Sequence, residues 1–349
     1  MGAVLPALLG LGPRDLLPAA AARARQVVLL VLDGLGSHLL GEHATEAPTL
    51  GALEGGPITT VAPSTTAAAL TSITTGTPPA RHGVAGYRFR YGGEVLNALR
   101  WRLDGRGTAP DPAEVQAIAP FGGTALPVVS RAAFADTGFT RAHLRGADLR
   151  GWHTSATIVT HCRALLDEGH PVVYAYYDGV DKVAHAHGLA TPFLRDEVAA
   201  TDRLVADLLV ALPSGAALLV TADHGQVQVG PAGQRSLAEV DALVDRYSGE
   251  GRFRSLHARG GAAGDLLEAA RERFGGEAWV RSRAEVVEEG WLGPAMSPVM
   301  AGRLGDVVLA PHAPVAFADP GYRVEQRLES MHGSLTPAEM LVPLLAASA

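Results

Sequence analysis

The sequence predicts an α/β fold: a central, mostly parallel sheet with helices on both faces. Three short apolar runs carry that expectation: residues 26–32 (QVVLLVL), 171–177 (PVVYAYY) and 216–222 (AALLVTA). Each is hydrophobic along nearly its whole length, as strands covered on both faces are. Helical patterns fall between them, at residues 66–75, 155–168 and 192–212. Alternation of this kind over 349 residues is the signature of a sheet sandwiched by helices.

Residues 230–329 read differently. A helical stretch at 264–274 (GDLLEAARERF) lies between shorter strand-like pieces at 252–256 and 278–280, and 305–309 (GDVVL) reads as one more strand. This pattern predicts a smaller α+β insertion or cap region at 230–329, with residues 1–229 and 330–349 forming the main core. The opening residues 1–11 are apolar but short, broken by Gly and Pro and without a basic start. They read as a helix and not as a signal peptide. No apolar stretch reaches the ~18 residues of a membrane span, so a cytoplasmic protein is the expectation.

Composition narrows the chemistry. Hydrophobic residues make up 47% and charged residues 19% of the chain, a balance that suits a compact core and not a disordered chain. The formal charge is −7 and no basic run is present, which argues against a nucleic-acid polymer as partner. Cys162 is the only cysteine. A metal would therefore be held by His and carboxylate, not by a cysteine cluster.

Each apolar run ends at, or just before, residues of that kind. Asp33 and Gly34 close the first, Asp178 and then Asp181 and His185 follow the second, and Asp223-His224-Gly225 closes the third. Ligands of open α/β sheets gather beyond the carboxyl ends of strands, so these tips are expected to converge. A single Asp in such a place is commonly a helix cap or turn residue; three, two of them accompanied by His, point to a metal site. Asp181 and His185 stand four apart and share one face of a helix, from which His187 points away. At a strand end Asp223 and His224 can both be aimed at one ion, with Gly225 permitting a sharp turn.

The segment 62–76 (APSTTAAALTSITTG) reads as a turn, an N-cap at Ser64, a helix and a stop at Gly76. A hydroxyl in the first turn sits where free N–H groups and the helix dipole favour negative charge. Simple capping by Ser64 and Thr65 is the competing explanation, and the pattern alone leaves open which hydroxyl is spare for chemistry.

Taken in order, Asp33, Pro63-Ser64-Thr65-Thr66-Ala67, Arg81-His82-Gly83, Asp181-Lys182-Val183-Ala184-His185-Ala186-His187-Gly188, Asp223-His224-Gly225 and Met331-His332-Gly333 resemble the alkaline phosphatase superfamily. The chain is most similar to its nucleotide pyrophosphatase/phosphodiesterase branch. That resemblance implies a hydrolase of phosphodiester or nucleotide pyrophosphate bonds with Thr66 as nucleophile and a covalent phospho-threonine intermediate. It also implies two divalent ions, Zn2+ or the similarly bound Mn2+. One would be held by Asp33, Asp223, His224 and the Thr66 oxygen, the other by Asp181, His185 and His332, while His82 is expected to be structural.

One position departs from the branch, whose asparagine twenty-one residues after the nucleophile is here Tyr87. Tyr87, or Asn97 from the next segment, is the candidate donor to a phosphate oxygen. The same core serves phosphomonoesterases, phosphonate hydrolases and phosphomutases, and a non-catalytic metal-binding protein could retain the fold. The expected partner is a small phosphate ester or nucleotide. A sulfatase is disfavoured because the nucleophile segment lacks the Cys/Ser-x-Pro-x-Arg pattern.

Overall fold

The main sheet has seven strands in the computed structural model, which describes residues 1–349. They are β1 (Gln26–Leu32), β2 (Glu54–Thr59), β3 (Pro127–Arg131), β4 (Asp148–Trp152), β5 (Val172–Tyr177), β6 (Ala216–Thr221) and β7 (Leu341–Ser348). Their spatial order is β2-β7-β6-β1-β5-β3-β4. β1 pairs in parallel with β5 and β6, and β3 with β4 and β5. β7 is antiparallel to both β6 and β2, so it alone runs against the rest.

The apolar runs form β1, β5 and β6 because each feeds two cores at once. Val27, Leu29 and Val31 pack with Ala67, Leu70 and Ile73 of the helix Thr66–Thr75 on one face. Val28, Leu30 and Leu32 pack on the other with Ile158 and Leu165 of the helix Ser155–Asp167, and with Val198 and Val205 of the helix Pro192–Ala211. Side chains alternate across a strand, and each fully buried Val or Leu contributes about 1.5–3 kcal/mol. The two long helices end one residue earlier than the pattern suggests, and the first helix covers only Val4–Leu8. No helix is long and apolar enough to cross a membrane.

Four strands, β2, β3, β4 and β7, lie outside the three apolar runs, and for the two next to one another at the sheet's β2 edge the physical reason is plain. β2 (EGGPIT) is an exposed edge strand, where Gly and Pro are tolerated because one side of the ladder is unpaired. β7 carries Pro343, which sits opposite Pro57 of β2.

A second, antiparallel sheet is built from Val244–Glu250, Phe253–Ala258, Val307–Pro311 and Ala278–Ser282, in that order. The helix Ala263–Phe274 buries Leu266, Ala270 and Phe274 against it. A separate three-stranded sheet of Arg88–Tyr91, Glu94–Asn97 and Arg102–Leu103 packs beside the strand Val244–Glu250, whose Arg246 pairs with Glu94.

One buried ion pair locks the second sheet to the main one. Arg252 Nε and Nη2 donate to Glu339 Oε1 and Oε2 at 2.6 and 2.8 Å, and neither side chain is exposed. Arg252 Nη1 also donates to the carbonyls of Ala313 and Val315, while Glu339 accepts from Ser334 N–H. Arg252→Met should leave the buried Glu339 carboxylate without a counter-charge and cost about 3–5 kcal/mol, read as a lower urea midpoint. A loss under about 1 kcal/mol would show that the pair contributes no more than a surface bridge.

Candidate active site

Because β5, β1 and β6 are neighbours, the residues following their carboxyl ends meet at one edge. Asp33 follows β1 and Asp223-His224 follow β6; Asp181 and His185 project from one face of the helix Gly179–His187 that starts just after β5. His187 leaves that face and stacks on Phe193 at 4.1 Å. His332 arrives from far along the chain, just after Ser330–Met331. Those two residues pair with Val227–Gln228, directly beyond the β6 tip. The glycines make the crowding possible. Gly34 has φ +75°, and a Cβ there would lie 2.4 Å from Gln226 Nε2. Gly225 is not in a positive-φ turn; it is needed because a Cβ would lie 2.0 Å from the Ala338 carbonyl oxygen.

Three imidazoles present the same nitrogen to the centre. Nδ1 of His185 lies 2.7 Å from the Ser330 carbonyl, Nδ1 of His332 lies 3.0 Å from that of Ser64, and Nδ1 of His224 lies 3.1 Å from that of Gly225. A carbonyl only accepts, so each Nδ1 carries the proton and each Nε2 keeps its lone pair, the arrangement of metal-ligating histidines. His185 Nε2 is 3.2 Å and His332 Nε2 3.8 Å from Asp181 Oδ1. His224 Nε2 is 3.4 Å from both Asp33 Oδ1 and Asp223 Oδ2. Ligand atoms of Asp181, His185 and His332 cluster within 4.8 Å, as do those of Asp33, Asp181 and His224, so Asp181 joins the two groups.

Thr66 begins its helix beside the second group. Its hydroxyl lies 3.1 Å from His224 Nε2 and, given that tautomer, donates to it. The N-cap is Thr65, not Ser64, and no side chain caps the helix. Ser64 Oγ donates to the Ser334 carbonyl at 2.6 Å and accepts from Gly333 N–H at 3.2 Å. Thr65 Oγ1 donates to Glu250 Oε2 at 3.0 Å. Ser64 therefore secures the His332 loop, Thr65 ties to the second sheet, and the first-turn N–H groups beside Thr66 stay without a side-chain acceptor.

The electrostatics call for cations. Asp33, Asp181 and Asp223 are all pushed above the usual carboxylate range, first by burial and then, for Asp33, by Asp223 and Asp181. Burial likewise lowers His224 and His332, keeping them neutral. Asp33 Oδ1 and Asp223 Oδ2 are buried without any hydrogen-bond partner, although Tyr176 Oη donates to Asp33 Oδ2 and the N–H groups of Gly34 and His224 donate to Asp223 Oδ1. Buried carboxylates so placed are costly unless paired or coordinated, so these residues fit divalent ions.

The comparisons with known proteins bear on this geometry. A model of the type I phosphodiesterase/nucleotide pyrophosphatase family matches residues 27–335, a span that contains Asp33, Thr66, Asp181, His185, Asp223, His224 and His332. The chain belongs to that family. Among solved structures, murine ectonucleotide pyrophosphatase/phosphodiesterase 5 superposes with a TM-score of 0.68 at 14% identity, covering 92% of this chain and 87% of that one. Phosphonoacetate hydrolase from Sinorhizobium meliloti 1021 gives a TM-score of 0.64 at 20% identity, covering 93% and 90%. Curated relatives match only locally. GPI ethanolamine phosphate transferase 3 of Schizosaccharomyces pombe is 33% identical over 89 residues, 26% of this chain and 10% of the relative. Its Mus musculus counterpart is 32% identical over 111 residues, 31% and 10%. The matched segment thus spans about a tenth of those relatives' length.

In this phosphodiesterase-family chain two cavities flank Thr66. One, of about 230 Å³, is lined by Thr65, Thr66, Tyr87, Asp181, His185, Glu250 and His332 among others. Tyr87 thus lines the same cavity as Thr66 and His332, and its hydroxyl lies 2.8 Å from that of Tyr322. Asn97 does not line either cavity: it is 3% exposed, its Nδ2 donates to Tyr322 Oη at 3.3 Å and its Oδ1 accepts from Arg100 N–H. His82 is buried, within 2.9 Å of Ser72 Oγ, and accepts from Val84 N–H, away from the Asp/His groups. Asp178 is engaged by Arg131 and Lys182. Sequence reasoning missed Tyr176, Gln226, Ser330 and Tyr322. Gln226 Nε2 donates to Asp181 Oδ1 at 3.0 Å and its Oε1 accepts from Ser330 Oγ. Only Gln226, two residues past His224, had a signal in its position.

Proposed function

We propose that the chain is a metal-dependent hydrolase of phosphodiester or nucleotide pyrophosphate bonds, acting through a covalent phospho-threonine on Thr66. The observation that carries this reading is the meeting of Asp33, Asp181, Asp223, His185, His224 and His332 beside the Thr66 hydroxyl, with two carboxylate oxygens left unpartnered. Asp33, Asp223, His224 and the Thr66 oxygen would hold one divalent ion and Asp181, His185 and His332 the other, with the Asp181 carboxylate also within reach of the first. Zn2+ suits these ligands best and Mn2+ next. Such a pair, when bound, neutralises phosphoryl charge and lowers the barrier for attacking and leaving oxygens.

The protein's own part is placement. The helix start holds the Thr66 oxygen in line with phosphorus, and N–H groups of the first turn offer donors to non-bridging oxygens. The Thr66 oxygen bonds to phosphorus as the ester P–O bond breaks and the departing alcohol is protonated. Water then cleaves the phospho-threonine and restores the hydroxyl. Tyr87 is the donor we assign to a phosphate oxygen, since it lines the cavity and Asn97 does not.

A diester carries one fewer charge than a monoester. The cation lining the cavities, Lys182, is paired with Asp178, which favours the diester. Bis-p-nitrophenyl phosphate should therefore exceed p-nitrophenyl phosphate in kcat/KM by about tenfold or more. A strong monoester preference would overturn this ranking. Local identity to phosphoethanolamine transferases supports a second reading in which an alcohol replaces water as acceptor; product analysis with added glycerol or sugar separates the two.

A further inference from the structure

Beside Thr66 and Asp33 opens the second cavity, of about 200 Å³, with Leu70, Leu99, Phe134 and Phe139 as its apolar wall. Its polar groups are mostly spoken for. Thr137 Oγ1 donates to Thr140 Oγ1, Thr140 Oγ1 donates to the Phe134 carbonyl, and Asp178 is held by Arg131 and Lys182. Apart from Ser130, whose hydroxyl can donate as well as accept, His143 is the exception. It stacks on Phe139 at 4.0 Å, and its Nδ1 lies 2.7 Å from the Phe139 carbonyl, one turn back in its own helix. Nδ1 must therefore carry the proton, which leaves Nε2 a bare acceptor with no partner inside the protein. Burial pushes the imidazole down to about 4, so it is neutral at physiological pH.

We infer that this cavity holds the ester arm retained on phosphorus during attack, and that His143 Nε2 reads a hydrogen-bond donor, O–H or N–H, on that arm. The inference rests on the proposed diester chemistry. The departing oxygen would face His185 and His332, which line the other cavity, and the Phe134/Phe139 side is then left for the arm that stays. The volume and ring-rich wall suit a planar aromatic or heteroaromatic body. An arm with an acceptor, or with nothing, opposite Nε2 leaves the imidazole nitrogen desolvated and unpaired. A site built to pair a polar group rejects analogues lacking it far more strongly than an apolar pocket rejects an extra methylene.

The test uses p-nitrophenyl phenyl phosphate and its meta- and para-hydroxyphenyl counterparts, which share a leaving group and differ by one hydroxyl. The native protein should favour a hydroxylated ester by about tenfold in kcat/KM, mostly through KM. His143→Phe should bring that ratio close to one, and His143→Gln, which keeps an acceptor, should retain part of it. Should the Phe variant fail to fold, the Gln variant and the native ratio still decide the matter. Turnover of all esters with no hydroxyl preference, or with a preference that survives both substitutions, sinks this inference alone. Turnover of none sinks the diester reading and this inference together.

Discussion

Thr66→Ala is expected to lower kcat by about a thousandfold or more while the protein still binds its metal ions. Thr66 is the first residue of a helix that is almost wholly buried, and Ala at this position keeps the backbone and the neighbouring Ala67, Ala68 and Ala69 packing. The substitution removes a single hydroxyl, the one that lies against His224. The Asp and His ligands remain, so elemental analysis should still return close to two ions per chain. The thermal midpoint should move by only a few degrees. Full activity in the variant would reject Thr66 as nucleophile. A matching loss of metal would instead assign Thr66 a structural share in the centre.

Asp181→Ala is expected to act on both ions at once. Its carboxylate is common to the two ligand groups and is oriented by Gln226, itself held by Ser330. Changes to groups that merely orient a ligand cost about 10–100-fold in metal affinity or activity, so removal of the ligand should exceed about a hundredfold. Turnover and metal content should fall together. Chelation of the native protein should mimic the variant and lower its thermal midpoint, because a ligand that binds only the folded state stabilises by roughly 4 kcal/mol at a thousand times its Kd. A metal-free preparation with full activity would refute the mechanism.

Much of this arrangement was legible in the residues, for reasons that differ from place to place. β1, β5 and β6 were readable because a strand buried on both faces has nowhere to put a polar side chain. The helix at Thr66 was readable because its alanines and the terminal Gly76, at φ +69°, follow local rules. β2 and β7 were not, since an edge strand needs no apolar alternation and takes Gly and Pro freely. Ser64 was read as a cap because capping depends on a side chain and its nearest amides. Here a distant loop, Gly333-Ser334, competes for that hydroxyl and wins. Tyr322 and Glu250 carry no local mark at all; they meet Tyr87 and Thr65 only because the chain returns there.

By itself, the sequence determined the layered α/β fold and the residue types offered at the strand tips, because burial on both faces and chemistry at strand ends are written locally. Tertiary structure alone decided the rest: that Asp181 stands within both ligand groups, that Tyr87 and not Asn97 lines the cavity shared with His332, and that His143 lines the other cavity beside Thr66. Distances between side chains far apart in the chain are set by packing, and packing is a property of the whole core, not of any one segment.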